Sequence, residues 1–180
     1  MSTKTRATIE DLYKVEGKAE LVHGEIVCMS PTGWGPGRAA GKIYRRLADY
    51  EEQHGGGYAF PDNVGFIVNL PHRESFSPDA AWWIGAVTMK FFDGAPAFAV
   101  EVRSEGDYGG YAEKKMARKR ADYFAAGTRV VWDVDLLHED VVRVFRDFEP
   151  TTPTIYRRGE IAEAEPALPG WTMPVDDIFK

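Results

Sequence analysis

Apolar residues recurring at spacings of three and four, alternating apolar and polar runs, and the glycines and prolines between them divide the chain into ordered segments. The clearest helical signal is carried by Ala40, Ile43, Tyr44, Leu47 and Tyr50, which predict an amphipathic helix over residues 39–53, stopped by Gly55-Gly56-Gly57. A further helix is expected over 111–126, with Gly127 just past its end. A short first helix over 7–15 has Thr8 as its N-cap and Asp11 three positions later. Residues 19–27 read as a hairpin turning at His23-Gly24, and strand-like segments follow at 58–60, 64–68, 76–84 and 97–103. The glycines and prolines of 31–37 break the chain before the long helix. After the last helix, 129–134 and 141–145 suggest paired strands, with one more candidate near 154–156. Helix, hairpin, helix, strands, helix, strands predicts an α/β or α+β fold, a sheet flanked by helices.

Composition narrows the class without changing that picture. A chain of 180 residues fits one domain over 1–180, and its 44% hydrophobic and 28% charged residues are those of an ordinary globular protein. No apolar run approaches the roughly 20 residues that span a bilayer. The charged start is followed by no apolar stretch of a signal peptide, so a cytoplasmic location is expected. Cys28 stands alone and has no internal disulfide partner, which agrees with a reducing compartment. A net charge of −6 argues against a surface basic all over, yet leaves room for one basic face. Arg38, Lys42, Arg45 and Arg46 form one cluster and Lys114, Lys115, Arg118, Lys119 and Arg120 another, although the solvated side of a helix explains either.

Two acids stand in segments that otherwise read as buried strands, where a carboxylate is costly unless paired or bound to metal. Asp79 opens the run Ala80-Ala81-Trp82-Trp83. Within 97–103, alternation puts Phe98, Val100 and Val102 on one face, and Ala97, Ala99, Glu101 and Arg103 on the other. Such acids, the second followed two positions later by a cation, suit a site where carboxylates hold Mg²⁺ and a positive group faces phosphate. On the helix, counting from Ala112, Met116 falls at about 40°, Tyr123 at about 20° and Lys119 at about −20°. Lys119 is therefore central on the apolar face, while Lys114, Lys115 and Arg118 lie further round. Spacing alone leaves two readings of Lys119 open: an inward functional cation held by carboxylates, or a lysine snorkelling past the helix edge or closing a structural ion pair.

Several segments, in order, resemble the Uma-type restriction endonuclease family of the PD-(D/E)XK nuclease superfamily. They are Ala19-Glu20-Leu21-Val22-His23-Gly24-Glu25-Ile26-Val27, Ser77-Pro78-Asp79, Ala99-Val100-Glu101-Val102-Arg103, Lys119-Arg120-Ala121-Asp122-Tyr123, Val131-Trp132-Asp133-Val134-Asp135 and Leu168-Pro169-Gly170-Trp171. The resemblance implies a restriction-endonuclease-like mixed β-sheet flanked by helices, with Asp79 and Glu101 as metal ligands. The superfamily's lysine two residues after the second acid is Arg103 here, and Lys119 resembles its replacement. Glu20 matches the family's early Glu, a role that a hairpin ion pair explains equally well. An arginine is too basic to act as a general base, which leaves Arg103 only charge stabilisation or pairing with an acid.

The implied activity is hydrolysis of DNA phosphodiester bonds with Mg²⁺ or Mn²⁺ in a bacterial protein. Lys42, Arg45 and Arg46 would contact the backbone without reading sequence. His23, His54, His72 and His138 are too scattered for a zinc site, and Ser30 and Ser104 have no evident base. Trp82, Trp83, Trp132 and Trp171 read as core. Two alternatives stay open: a catalytically idle nucleic-acid-binding module, and an assembly protein whose apolar surface makes a homodimer.

Overall fold

The computed structural model describes residues 6–180. Residues 1–5, on which part of the signal-peptide argument rests, lie outside them. The first helix, α1 (Ile9–Leu12), is a single turn fastened by reciprocal bonds between Thr8 and Asp11. The expected hairpin is β1 (Ala19–Val22) with β2 (Glu25–Cys28), and its turn places His23 and Gly24 at φ 54° and 71°, the left-handed geometry that matches strand twist.

Helix α2 (Trp34–His54) begins five residues before the apolar periodicity does. Pro36 is the third residue of that helix, where a backbone N–H has no intrahelical partner to lose, so the apparent breaker fits within the first turn. Strands β3 (Tyr58–Phe60), β4 (Phe66–Leu70) and β5 (Arg73–Phe76) follow. The strand expected over 76–84 is divided: β5 ends at Phe76, Ser77-Pro78 intervenes, and β6 (Ala80–Trp83) belongs to a different sheet. Then come β7 (Phe92–Asp93), β8 (Phe98–Val102), α3 (Gly110–Ala125), β9 (Val130–Val134), β10 (Val142–Arg146) and β11 (Glu149–Tyr156). The tail adds β12 (Ile161–Glu163), β13 (Thr172–Pro174) and a closing 3-10 turn, Val175–Phe179.

The larger sheet has the order β11-β10-β9-β8-β6-β3 and is mixed, with β8 and β9 parallel and its other neighbours antiparallel. Parallel neighbours need a crossover, and α3 supplies it. A second sheet, β2-β1-β5-β4-β7, carries the hairpin. Phe98, Val100 and Val102 face a core shared with Ile43 and Leu47 of α2. Ala99 belongs to the other core, with Tyr123 of α3 and Phe66 and Phe76 of the second sheet. Strand alternation therefore sends Glu101 to the side where α3 and the second sheet meet. Trp82, Trp83, Trp132 and Trp171 are buried, as their positions predicted. Among the described residues no helix is long and apolar enough to cross a membrane.

Candidate active site

Asp79 immediately precedes β6, and Ala80 lies opposite Val100 on β8, so Asp79 and Glu101 emerge at neighbouring positions on antiparallel strands. The Asp79 N–H donates to the Val100 carbonyl at 2.9 Å, and the Val102 N–H donates to Asp79 Oδ2 at 2.7 Å. Asp79 is thus tied to the strand that carries Glu101 by main chain and side chain alike.

Glu20 reaches the same place from β1 and is 3% exposed. Its Oε1 accepts from the Ser77 N–H at 2.9 Å and its Oε2 from Arg73 at 2.6 Å. Lys119 Nζ lies 2.9 Å from Glu20 Oε1 and 2.8 Å from Glu101 Oε1, joining two carboxylates from different sheets. One helical turn on, the Tyr123 hydroxyl donates to Glu101 Oε1 at 2.6 Å, and its ring stacks on Phe76 with centroids 4.0 Å apart.

Lys18 completes the cluster, and the sequence reading missed it. Its Nζ is 2.6 Å from Asp79 Oδ1 and 2.6 Å from Asp62 Oδ1. The period of a strand could have found it, because Lys18 stands two residues before Glu20 and so shares its face. Asp62 comes from a loop, and no sequence pattern singled it out.

Charge is distributed unevenly among these groups. Burial penalises ionised Glu20, but Lys119, Arg73 and the Ser77 N–H outweigh it and hold the carboxyl below its ordinary pKa. On Glu101 burial prevails, helped by repulsion from Asp79 and Glu20 against the pull of Lys119 and Lys18, and its pKa is raised. Burial disfavours both ammonium groups, yet the acids overcome it. Lys119 is raised by Glu101 and Glu20, and Lys18 by Asp79 and Glu101. Both lysines are therefore charged at neutral pH. They can attract or orient an anion and cannot serve there as bases. Among the described residues no three His, Cys, Asp or Glu side chains stand gathered as a ready-made metal cage.

A family profile named Uma2 and described as "Putative restriction endonuclease" matches residues 7–176. The chain belongs to the Uma2 family. Its fold is similar to the crystal structure of a "putative nuclease belonging to DUF820" from Anabaena variabilis, with a TM-score of 0.75, 16% identity, and coverage of 96% of this chain and 97% of that one. Family and fold together point to a nuclease. None of the curated proteins matches the chain.

Within this Uma2 chain, Asp79, Glu101, Lys119 and Glu20 come together, whereas Arg103 is held elsewhere on the same face. Its Nε and Nη2 bond the two oxygens of Asp133 on β9 at 2.7 and 2.8 Å, and it also pairs with Glu113 of α3. Arg120 joins Asp133 at 3.2 Å. This second network fastens the start and middle of α3 to β9. The cations of α2 also divide: Arg46 donates to the Thr172 carbonyl at 3.1 Å, while Arg38, Lys42 and Arg45 border an open groove.

Proposed function

We propose that this Uma2 protein is a divalent-metal-dependent endonuclease that hydrolyses phosphodiester bonds in DNA. Asp79 and Glu101 are the metal's carboxylates, Glu20 supports them, and Lys119 is the cation that meets the phosphate. One observation carries the reading: the Lys119 ammonium bridges Glu101 of the larger sheet and Glu20 of the smaller, at a place where Asp79 also opens to solvent.

The donor chemistry fits the group. Asp79 and Glu101 offer hard carboxylate oxygens with side chains 19% and 20% exposed, which suits Mg²⁺ or Mn²⁺ better than zinc. Positive charge already stands against both acids as Lys18 and Lys119. A bound ion supplies Lewis acidity towards a phosphate oxygen and makes an adjacent water more acidic.

The chain's own groups do the positioning. Tyr123 fixes the orientation of Glu101, and Arg73 with the Ser77 N–H fixes Glu20, so that the Lys119 ammonium is held before substrate arrives. A preorganised donor of this kind stabilises developing charge more than a mobile one. Burial and the neighbouring acids raise the Glu101 pKa, a crowding of negative charge that a bound divalent cation would relieve. Arg103, its guanidinium saturated by Asp133 and Glu113, is assigned to holding α3 in register rather than to the reacting phosphate.

The test is cleavage of single-stranded, double-stranded and branched DNA with Mg²⁺ and with Mn²⁺, using the parent, Asp79→Asn and Glu101→Gln. Cleavage by the parent that both variants lose is the expected result. DNA binding that needs no divalent ion, with no cleavage of any substrate, would replace the reading with an idle binding module.

A further inference from the structure

Trp34, at the start of α2, is the one tryptophan among the described residues with its ring open to solvent, at 81% exposure. The Arg38 guanidinium lies over the ring, 5.9 Å from the centroid. Lys42 and Arg45 continue the same helical face, and the groove they border has no carboxylate in its lining. From Trp34 to Arg45 the stripe runs about 16 Å along the helix. In a protein of net charge −6 this is a local concentration of positive charge around one flat apolar surface. Among the described residues neither Lys42, Arg45 nor Arg38 forms an ion pair, whereas Arg46 is tied to the tail.

The stripe also adjoins the carboxylate cluster. Just before Trp34, the Thr32 hydroxyl lies 3.4 Å from that of Ser104, three residues beyond Glu101, and the Met29 N–H donates to the Lys18 carbonyl at 2.9 Å. These contacts hold the segment that leads into α2 against the chain that follows β8 and against Lys18.

We propose that this groove binds nucleic acid through an unpaired base stacked on Trp34, with Arg38, Lys42 and Arg45 on the flanking phosphates. The inference rests on the nuclease reading only for the class of ligand. Cations alone would serve a duplex equally well, because phosphates are all they meet. An exposed indole beside a guanidinium adds something a duplex cannot use, since paired bases present their edges and keep their faces stacked on one another. The substrate class favoured is therefore a single strand, or a junction or flap with at least one base free.

The full chain, Trp34→Ala, Trp34→Phe and the double variant Lys42→Ala/Arg45→Ala would be titrated in EDTA, where no cleavage intervenes. The fluorescent probes are a short oligothymidylate and an abasic strand of equal length. Because Trp34 is exposed, its substitution leaves the core and the melting temperature as they are.

Trp34→Ala is expected to weaken oligothymidylate binding about 5-fold or more, as loss of one stacked base does. Trp34→Phe should recover much of that loss, and abasic-strand binding should be indifferent to position 34. Equal losses on both probes, no loss on either, or no binding of oligothymidylate by the parent would each overturn the proposal. So would a dimer in sedimentation that Trp34→Ala converts to monomer without changing DNA affinity, which would assign the surface to a second copy. Trp34-dependent binding by a protein that cleaves nothing overturns the nuclease reading and leaves this one standing. Cleavage by the parent, with Trp34→Ala binding both probes as the parent does, overturns this one alone.

Discussion

Lys18 and Lys119 approach the same acids from different elements, and their removal should have different consequences. Lys119 is the sole lysine on Glu20 and sits directly on Glu101. Lys119→Met leaves these acids facing Asp79 with less compensation, and breaking a buried pair of this kind costs about 3 kcal/mol. The metal-free protein should therefore melt lower, and saturating Mg²⁺ should restore part of the difference. Cleavage should fall by roughly 10²–10³-fold, the usual consequence of removing one preorganised donor. Retention of full cleavage would remove Lys119 from the reaction. Lys18, by contrast, competes for Asp79 Oδ1 with any incoming cation. Lys18→Met is expected to bind Mn²⁺ several-fold more tightly by calorimetry, and weaker binding would mean that the ammonium's service is to aim Asp79.

Among the elements, α3, β8 and the β9–β10 pair were legible in the sequence because their apolar patterns are uninterrupted, and the helical wheel placed Lys119 on the face it occupies. Other features depended on tertiary structure. The run 76–84 is continuously apolar, and only the partition into two sheets shows that Ser77-Pro78 separates β5 from β6. The start of α2 was hidden because glycine and proline signal a break, though a first turn tolerates both. Strand period puts Lys18 on the face of Glu20, but its partner Asp79, 61 residues away, is set by the tertiary fold.

The turn after β9 supplies a test on this scale. Asp135 is 1% exposed and accepts from the Leu137 and His138 N–H groups and from the Tyr108 hydroxyl. Burial pushes its pKa up, but the Leu137 N–H, His138 and Tyr108 outweigh burial and hold it at about 2, against an ordinary 3.8. A depressed pKa contributes stability that is complete above 3.8 and is lost as pH falls towards about 2. Asp135→Asn should therefore be less stable than the parent in urea at neutral pH, and the gap should narrow across that acid window. A gap independent of pH would show that shape, not charge, makes the turn.

For the whole molecule the relevant quantity is the contrast between a net charge of −6 and the cationic face of α2. Long-range repulsion of a polyanion and local attraction to Arg38, Lys42 and Arg45 both respond to salt, but only the second depends on phosphate contact. In the double variant Lys42→Ala/Arg45→Ala, the slope of log affinity against log salt for a single strand should become shallower by about 1.4, two contacts at roughly 0.7 each. Arg46→Ala should leave that slope alone and lower the melting temperature, because Arg46 fastens α2 to the tail. An unchanged slope in the double variant would place nucleic acid on another surface.

The double tie of Asp79 to β8 gives the site one jaw of a vice. The backbone separation of Asp79 from Glu101 is set by the hydrogen-bond ladder, through Val100 and Val102, between two interior strands of the larger sheet. The opposite jaw is α3, which bears Lys119 and is pinned to β9 through the pairing of Arg103 and Arg120 with Asp133. Both jaws are therefore set by hydrogen bonds and ion pairs within the protein itself, before any ligand arrives.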